Sequence, residues 1–125
     1  MRDYYADDLL LILPSSGGAG VRLCGEVYAA HRTPLALAVS TARQSAPTHE
    51  ITVDLTGVAY LANSALETLV ALACQLALPQ RLVVRADPEL RLGERIAAGG
   101  WSQTVTLRVI DVSKSGPGGD APVES

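Results

Sequence analysis

The sequence predicts an α/β domain in which a mixed sheet of four to five strands is covered by helices on one face. Three observations support this fold class. Segments in which apolar and polar residues alternate recur along the chain, stretches with helical spacing and capping signals separate them, and 48% of the residues are hydrophobic, enough for one core. A length of 125 residues fits a single domain, which we place at residues 1–112, followed by a disordered tail at residues 113–125.

The first part of the chain is predicted to form a β-hairpin. An apolar run from Leu9 to Leu13 ends at Pro14, and a cluster of small residues at 15–20 follows. Apolar and polar side chains then alternate over residues 21–27. Because the glycines of the cluster join two predicted strands instead of opening a helix, we interpret them as a turn and not as a phosphate-binding loop.

A helix and a half-buried strand come next. Thr33 and Pro34 have the pattern of an N-cap and a first helical residue, and helical spacing continues until Pro47. Strict alternation over residues 51–56 predicts a strand with one buried face, followed by a short link at residues 58–62.

The second helix is predicted from a capping box. Ser64 and Glu67 have its spacing and directly precede apolar residues that fall on one helical face, up to Pro79. A third unit repeats the pattern, with a strand at residues 82–84 and a helix opened by Asp87 and Pro88. That helix should end at Gly99 and Gly100, where Trp101 is expected to cover it.

The last strand, at residues 104–109, also alternates. Strands buried between two helical layers are usually continuous apolar runs, so alternation indicates helices on one face only. The other face should be polar, and either solvent or a partner should cover it. The residues expected there are Thr52, Asp54, Thr106 and Arg108.

Composition disfavours several classes of protein. The net charge of −3 and the absence of a basic stripe disfavour nucleic-acid binding. Cys24 and Cys74 lack the spacing of a redox or zinc site, so we interpret them as buried small apolar residues in a reducing cytoplasm. With an acidic N-terminus and no apolar run of about 18 residues, the chain is expected to be cytoplasmic, away from membranes.

Sequence patterns typical of enzymes are also missing. There is no phosphate-binding, dinucleotide-binding, nucleophile-elbow or zinc-protease motif. His31 and His49 stand alone, and we expect both to be solvated at the surface. We therefore expect no catalytic residue, no metal and no cofactor.

Residues 51–66, Ile-Thr-Val-Asp-Leu-Thr-Gly-Val-Ala-Tyr-Leu-Ala-Asn-Ser-Ala-Leu, resemble the signature of the STAS family of anti-sigma-factor antagonists. In that family, a strand ending in Asp-Leu-Ser/Thr-Gly-Val leads through an apolar link to Asp-Ser-Ser/Thr-Gly-Leu at the start of a helix. Gly25-Glu26 and residues 82–100 are similar to further elements of the family. The resemblance implies the same one-sided sheet and a regulatory role in binding an anti-sigma factor or a related serine-kinase-type regulatory protein.

The chain departs from the family pattern where the family is phosphorylated. The usual acceptor position is Asn63, which has no hydroxyl, and the neighbouring motif residues are replaced by Ala62 and Ala65. Ser64 retains a hydroxyl, so it is either the helix cap alone or a possible phosphorylation site. Tyr28 stands where the family commonly has Asp, and is either an aromatic anchor for a partner or a ring that closes the core.

The leading hypothesis is a regulatory, non-catalytic protein-binding module. The alternatives are a scaffold domain that forms a homodimer and a STAS domain that senses a nucleotide or another small ligand. We expect the partner to contact the turn before the second helix and its surroundings, namely Tyr28, Tyr60, Leu61, Ala62, Asn63, Ser64 and Leu66.

Overall fold

The computed structural model describes residues 3–15, 19–45 and 49–112. Within these ranges one sheet of six strands combines with three α-helices, so the α/β class is confirmed and the sheet has more strands than the four to five predicted. Short 3-10 turns at Ala29–His31 and Pro88–Leu90 precede the first and third helices. The elements in chain order are β1 (Tyr5–Ala6), β2 (Leu10–Pro14), β3 (Gly20–Val27), α1 (Arg32–Ser45), β4 (Glu50–Leu61), α2 (Asn63–Cys74), β5 (Arg81–Ala86), α3 (Leu92–Ala98) and β6 (Leu107–Asp111).

The strands lie in the sheet in the order in which they occur in the chain. β1, β2 and β3 are antiparallel, which includes the predicted hairpin, and β3 to β6 are parallel. The small-residue turn of that hairpin lies partly outside the described residues, at 16–18. Each parallel connection carries a helix, and right-handed crossovers that add strands in one direction place all three helices on the same face.

Burial along the strands confirms that the helices cover one face. Ile51, Val53 and Leu55 of β4 are at most 1% exposed, whereas the intervening residues are half-buried. One core forms between this face and the helices. Its fully buried members include Leu10, Ile12, Leu23, Leu35, Leu55, Leu66, Leu69, Leu82 and Leu92.

Three sequence-based expectations about burial are wrong. Thr106 does not lie on the polar face, because its hydroxyl donates a 2.5 Å hydrogen bond to the carbonyl of Ala73 and the residue is buried. Cys74 is exposed at the end of α2, and Cys24 is half-buried on the face without helices. His31 is buried, while His49 is exposed as expected.

Helix boundaries also differ from those predicted. β4 continues through the predicted link to Leu61, since it stays paired with β3, and α2 already ends at Cys74. Pro34 lies in the first turn of α1 but is not its first residue.

The segment leading into α3 combines a predicted cap with an unexpected break. The Asp87 carboxylate accepts a 2.9 Å hydrogen bond from the amide of Glu89, as expected of a cap, but the turn that it caps stops at Arg91, whose φ is 53°. α3 then ends at the predicted glycines. Gly100 has φ 79°, and the Trp101 amide donates to the Ile96 carbonyl at 3.0 Å, which together define a Schellman motif.

Candidate functional site

The carboxyl ends of β3 and β4 bring two tyrosines together beside the start of α2. Glu26 pairs with Tyr60, Val27 pairs with Leu61, and the amide of Ala62 donates to the Val27 carbonyl at 2.9 Å. The rings of Tyr28 and Tyr60 therefore lie with their centroids 5.1 Å apart, tilted by 37°. Tyr28 is 36% exposed and Tyr60 is 47% exposed, so the pair forms an aromatic surface that solvent reaches.

Tyr28 is held in place from both ends. Its hydroxyl donates a hydrogen bond to the carboxylate of Glu26, and this bond, followed by partial desolvation, raises the pKa of the Tyr28 phenol. Its backbone amide donates to Nδ1 of His31 at 2.9 Å. The ring is thus fixed before any partner arrives, which lowers the entropic cost of using it as a contact.

His31 connects this turn to the N-terminal strands. Its Nε2 lies 2.8 Å from Oδ2 of Asp7, and because Nδ1 accepts a hydrogen bond, Nε2 carries the proton. The Asp7 carboxylate also accepts bonds from the hydroxyl of Tyr5 at 2.6 Å and from the amides of Leu9 and Leu10 at 2.7 and 2.8 Å. These donors, the Tyr5 hydroxyl first, hold the pKa of Asp7 well below its usual value.

The His31–Asp7 pair is not arranged for catalysis. Both ring nitrogens of His31 are occupied by bonds within the fold, so neither is available to take a proton from a substrate. Among the described residues no group of three or more His, Cys, Asp or Glu side chains is placed to hold a metal ion. We interpret the pair as a structural contact that links two parts of the chain 24 residues apart.

The first residue of α2 is Asn63, which is exposed and held by an arginine of α3. Nη2 of Arg95 donates to Oδ1 of Asn63 at 2.8 Å and to the carbonyl of Leu61 at 2.6 Å. The guanidinium therefore fixes both the last residue of β4 and the first residue of α2. Sequence reasoning missed Arg95, since nothing in its local pattern marks it as a contact of a residue 32 positions away.

The predicted capping box at Ser64 does not form. β4 runs on to Leu61, and the chain turns into α2 at Ala62, which is the N-cap and makes no side-chain capping bond. Ser64 is consequently the second helical residue and half-buried. Its carbonyl accepts a bond from the Thr68 hydroxyl at 2.9 Å, but within the described ranges its own hydroxyl has no hydrogen-bond partner.

Two residues of the predicted contact surface are instead part of the core. Leu61 and Leu66 are each 2% exposed, because their side chains point from the end of β4 and from α2 into the space between sheet and helices. A partner cannot touch them without opening the domain. The residues that remain at the surface are Tyr28, Tyr60, Ala62, Asn63 and Ser64, which we call the α2 surface.

Two shallow depressions adjoin the α2 surface. One has a volume of about 370 Å³ and lies between Tyr60, Asn63, Glu89 and Arg95. The other, of about 550 Å³, runs along the start of α1 beside Thr68 and includes Leu37, which is 63% exposed.

Comparison with known proteins identifies the fold. No protein-family model and no curated protein sequence matches the chain. Among solved structures, the chain is similar to an anti-sigma factor antagonist from Mycobacterium paratuberculosis, with a TM-score of 0.62 and 24% sequence identity over 82% of this chain and 88% of that one. The predicted STAS-like fold is therefore confirmed. No helix in the described ranges has the length and apolar character needed to cross a bilayer.

Proposed function

We propose that the protein is a cytoplasmic, non-catalytic regulatory module whose α2 surface binds an anti-sigma factor or a related serine-kinase-type protein. The likeness to a structure described as an anti-sigma factor antagonist supports this class of partner. The observation that carries the proposal is the placement of Asn63, exposed at the start of α2 and fixed by Arg95, beside two partly exposed tyrosines.

The tyrosine pair supplies the apolar area that such a contact needs. Exposed aromatic rings that are already ordered are the side chains that most often dominate binding energy at protein interfaces. A partner that covers Tyr28 and Tyr60 would remove from water two large side chains that the fold leaves partly exposed.

The α2 surface also bears on regulation. Asn63 cannot accept a phosphoryl group, so the proposed module binds without kinase control at the position that its resemblance to the STAS family marks. Ser64 is the competing site, because its hydroxyl is free of capping and a phosphate there would lie at a helix N-terminus. We favour the unphosphorylated module, since Ser64 is half-buried in the first turn of α2.

Capture of partners from native cytoplasm, with identification by mass spectrometry, tests the proposal. We expect wild type to retain a protein of the anti-sigma or serine-kinase type, and Tyr28→Ala or Tyr60→Ala to weaken retention about tenfold. Val105→Ala is the matched control, because Val105 is 71% exposed but precedes β6 at the opposite end of the sheet. Equal retention by wild type and all three variants would refute the proposal that the α2 surface binds the partner.

Incubation with candidate serine kinases tests the regulatory part. We expect no phosphate by mass spectrometry on wild type, and none on Ser64→Ala. Stoichiometric phosphate on wild type but not on Ser64→Ala would contradict the unregulated module. It would show instead that phosphorylation of Ser64 regulates the protein.

Two alternatives have specific support. The partly exposed tyrosine pair is also suited to a homodimer, which light scattering at rising concentration would reveal. The depression beside Arg95 could admit a small polar ligand, and stabilisation by a nucleotide in a thermal-shift screen would favour a sensing role.

A further inference from the structure

The face of the sheet without helices carries four of the eight arginines in the described ranges. On β5, Arg81 and Arg85 share this face with Val83, while the residues between them point into the core. Arg22 lies on β3 and Arg108 on β6, and all four arginines are exposed. Arg108 is directly opposite Val83, which Arg81 and Arg85 flank on their own strand. Three of these arginines therefore surround Val83 on the sheet.

These guanidinium groups are not used by the fold. Within the described ranges none of the four has a hydrogen bond or an ion pair, whereas Arg32 and Arg95 bond to main-chain carbonyls. An arginine that stabilises its own domain usually meets an acceptor, so four on one face that meet none are available to an external anion.

Acidic residues on this face only partly offset the arginines. Glu50 is opposite Arg81, and Asp54 lies between Arg22 and Arg85. Oδ1 of Asp54 accepts bonds from the amide and hydroxyl of Thr56, at 2.9 and 2.6 Å. Glu26 shares this face farther along β3, so four positive and three negative side chains leave it with a charge of +1, in a chain whose net charge is −3.

Apolar side chains lie among the arginines. Leu13 is opposite Arg22, and Ile110 is opposite Arg85. Both are half-buried, while Val83 is 5% exposed even though no described helix covers this face. The aliphatic stems of arginines can shield such residues while the guanidinium groups stay in water. The surface therefore offers apolar and cationic contacts at neighbouring positions.

We propose that this face, which we call the arginine face, binds an extended acidic segment of a partner polypeptide in which carboxylates alternate with apolar or small residues. Alternate side chains of an extended chain are about 6.6–6.8 Å apart. Diagonal neighbours on adjacent strands, such as Arg85 and Arg108, are about 7–8 Å apart, so successive carboxylates can meet successive guanidinium groups. The arginine face lies on the side of the sheet opposite the helices, and this proposal does not depend on the α2 surface.

The charge distribution favours a polypeptide over a nucleic acid. A net negative protein with a charge of +1 on a partly apolar face cannot neutralise a long row of phosphates, but its guanidinium groups match a short segment that carries a few carboxylates. The interspersed Leu13 and Ile110 would pack against apolar side chains of such a segment, which a phosphate backbone does not have.

Fluorescence anisotropy with the full chain tests the proposal. The probe is a labelled peptide in which Glu alternates with Val, compared with the same peptide carrying Gln in place of Glu. The variant R85Q/R108Q removes two charges from the arginine face. The variant R43Q/R91Q removes two charges elsewhere and serves as the matched control, because both arginines are exposed and their side chains have no hydrogen bond or ion pair in the described ranges.

We expect the Glu peptide to bind wild type and R43Q/R91Q with the same affinity. Its affinity for R85Q/R108Q should be lower by about tenfold or more, while the thermal unfolding of that variant is unchanged. Binding that is equal for the Glu and Gln peptides would overturn the proposal, as would an equal loss in both double variants. Tighter binding of a single-stranded oligonucleotide or of anionic lipid vesicles than of the Glu peptide would overturn the choice of partner.

Discussion

The carboxylate of Asp7 and the imidazole of His31, 2.8 Å apart, join the antiparallel start of the sheet to the turn that carries Tyr28. Asp7 closes the connection between β1 and β2, and His31 precedes α1. The position of Tyr28, and with it the exposed tyrosine pair, therefore depends on the contact between Asp7 and His31.

Removal of the imidazole should destabilise the domain and loosen Tyr28. His31→Ala leaves a cavity at a buried position and leaves the Tyr28 amide and the Asp7 carboxylate each short of one partner. We expect a loss of about 2 kcal/mol or more in the free energy of unfolding, measured in urea. His49→Ala, at an exposed histidine, should unfold like wild type; an equal effect in both would contradict the structural role of His31.

Stability should fall in acid because of Asp7. The pKa of Asp7 is lowered in the folded state, so the unfolded chain takes up the proton first as the pH falls. The contribution of Asp7 is complete above its unfolded pKa, near 4, and is lost progressively below it. Unfolding of Asp7→Asn, followed from pH 7 downward, should be less pH-dependent than that of wild type, whereas Asp8→Asn, with an exposed side chain, should follow wild type.

A carboxylate in place of the Asn63 amide should stabilise the start of α2. Asn63→Asp would put a negative charge at a helix N-terminus and beside the Arg95 guanidinium. We expect a gain of about 0.5–1 kcal/mol in the free energy of unfolding. In a double-mutant cycle with Arg95→Ala the part of this gain that comes from the guanidinium should disappear, while the helix-terminus part remains. An undiminished gain without Arg95 would show that the pairing contributes nothing.

Arg95 itself should position the α2 surface. Arg95→Ala removes bonds to the Leu61 carbonyl and to Asn63, and should cost about 1–2 kcal/mol in stability. It should also shift the NMR signal of the Asn63 side-chain amide. Glu94→Ala, at the preceding exposed position of α3, should leave that signal in place.

Gly25 of β3 has no room for a side chain. A Cβ atom at Gly25 would lie 2.1 Å from the Leu9 carbonyl oxygen, and the φ of 116° disfavours any other residue. Gly25→Ala should therefore cost about 2 kcal/mol or more. Gly93→Ala in α3, where a Cβ atom meets nothing within 4 Å, should be neutral or stabilising by up to about 1 kcal/mol in the same unfolding assay.

Local patterns in the sequence predicted the elements and the one-sided sheet well. Alternation at residues 51–56 located the buried face of β4, and Gly99 and Gly100 located the end of α3. The start of α2 was misplaced because pairing of β4 with β3 as far as Leu61 overrides the capping signal of Ser64.

The site itself was only partly predictable. The sequence pointed to Tyr28, Tyr60 and Asn63, which the fold does bring to one end of the sheet. It gave no indication of Arg95 or of the Asp7–His31 pair, since each contact joins residues far apart in the chain. The sequence also placed Leu61 at the surface. Its burial follows from the pairing of the end of β4 with Val27 of β3, which is again a contact between distant parts of the chain.

Trp101, the only tryptophan of the chain, packs its ring against Gly99, directly after the helix that carries Arg95. The protein therefore contains an intrinsic fluorophore close to the element that fixes Asn63. Its emission should change when α3 is displaced, without any attached dye. Binding at the arginine face, on the opposite side of the sheet, should leave the emission unchanged.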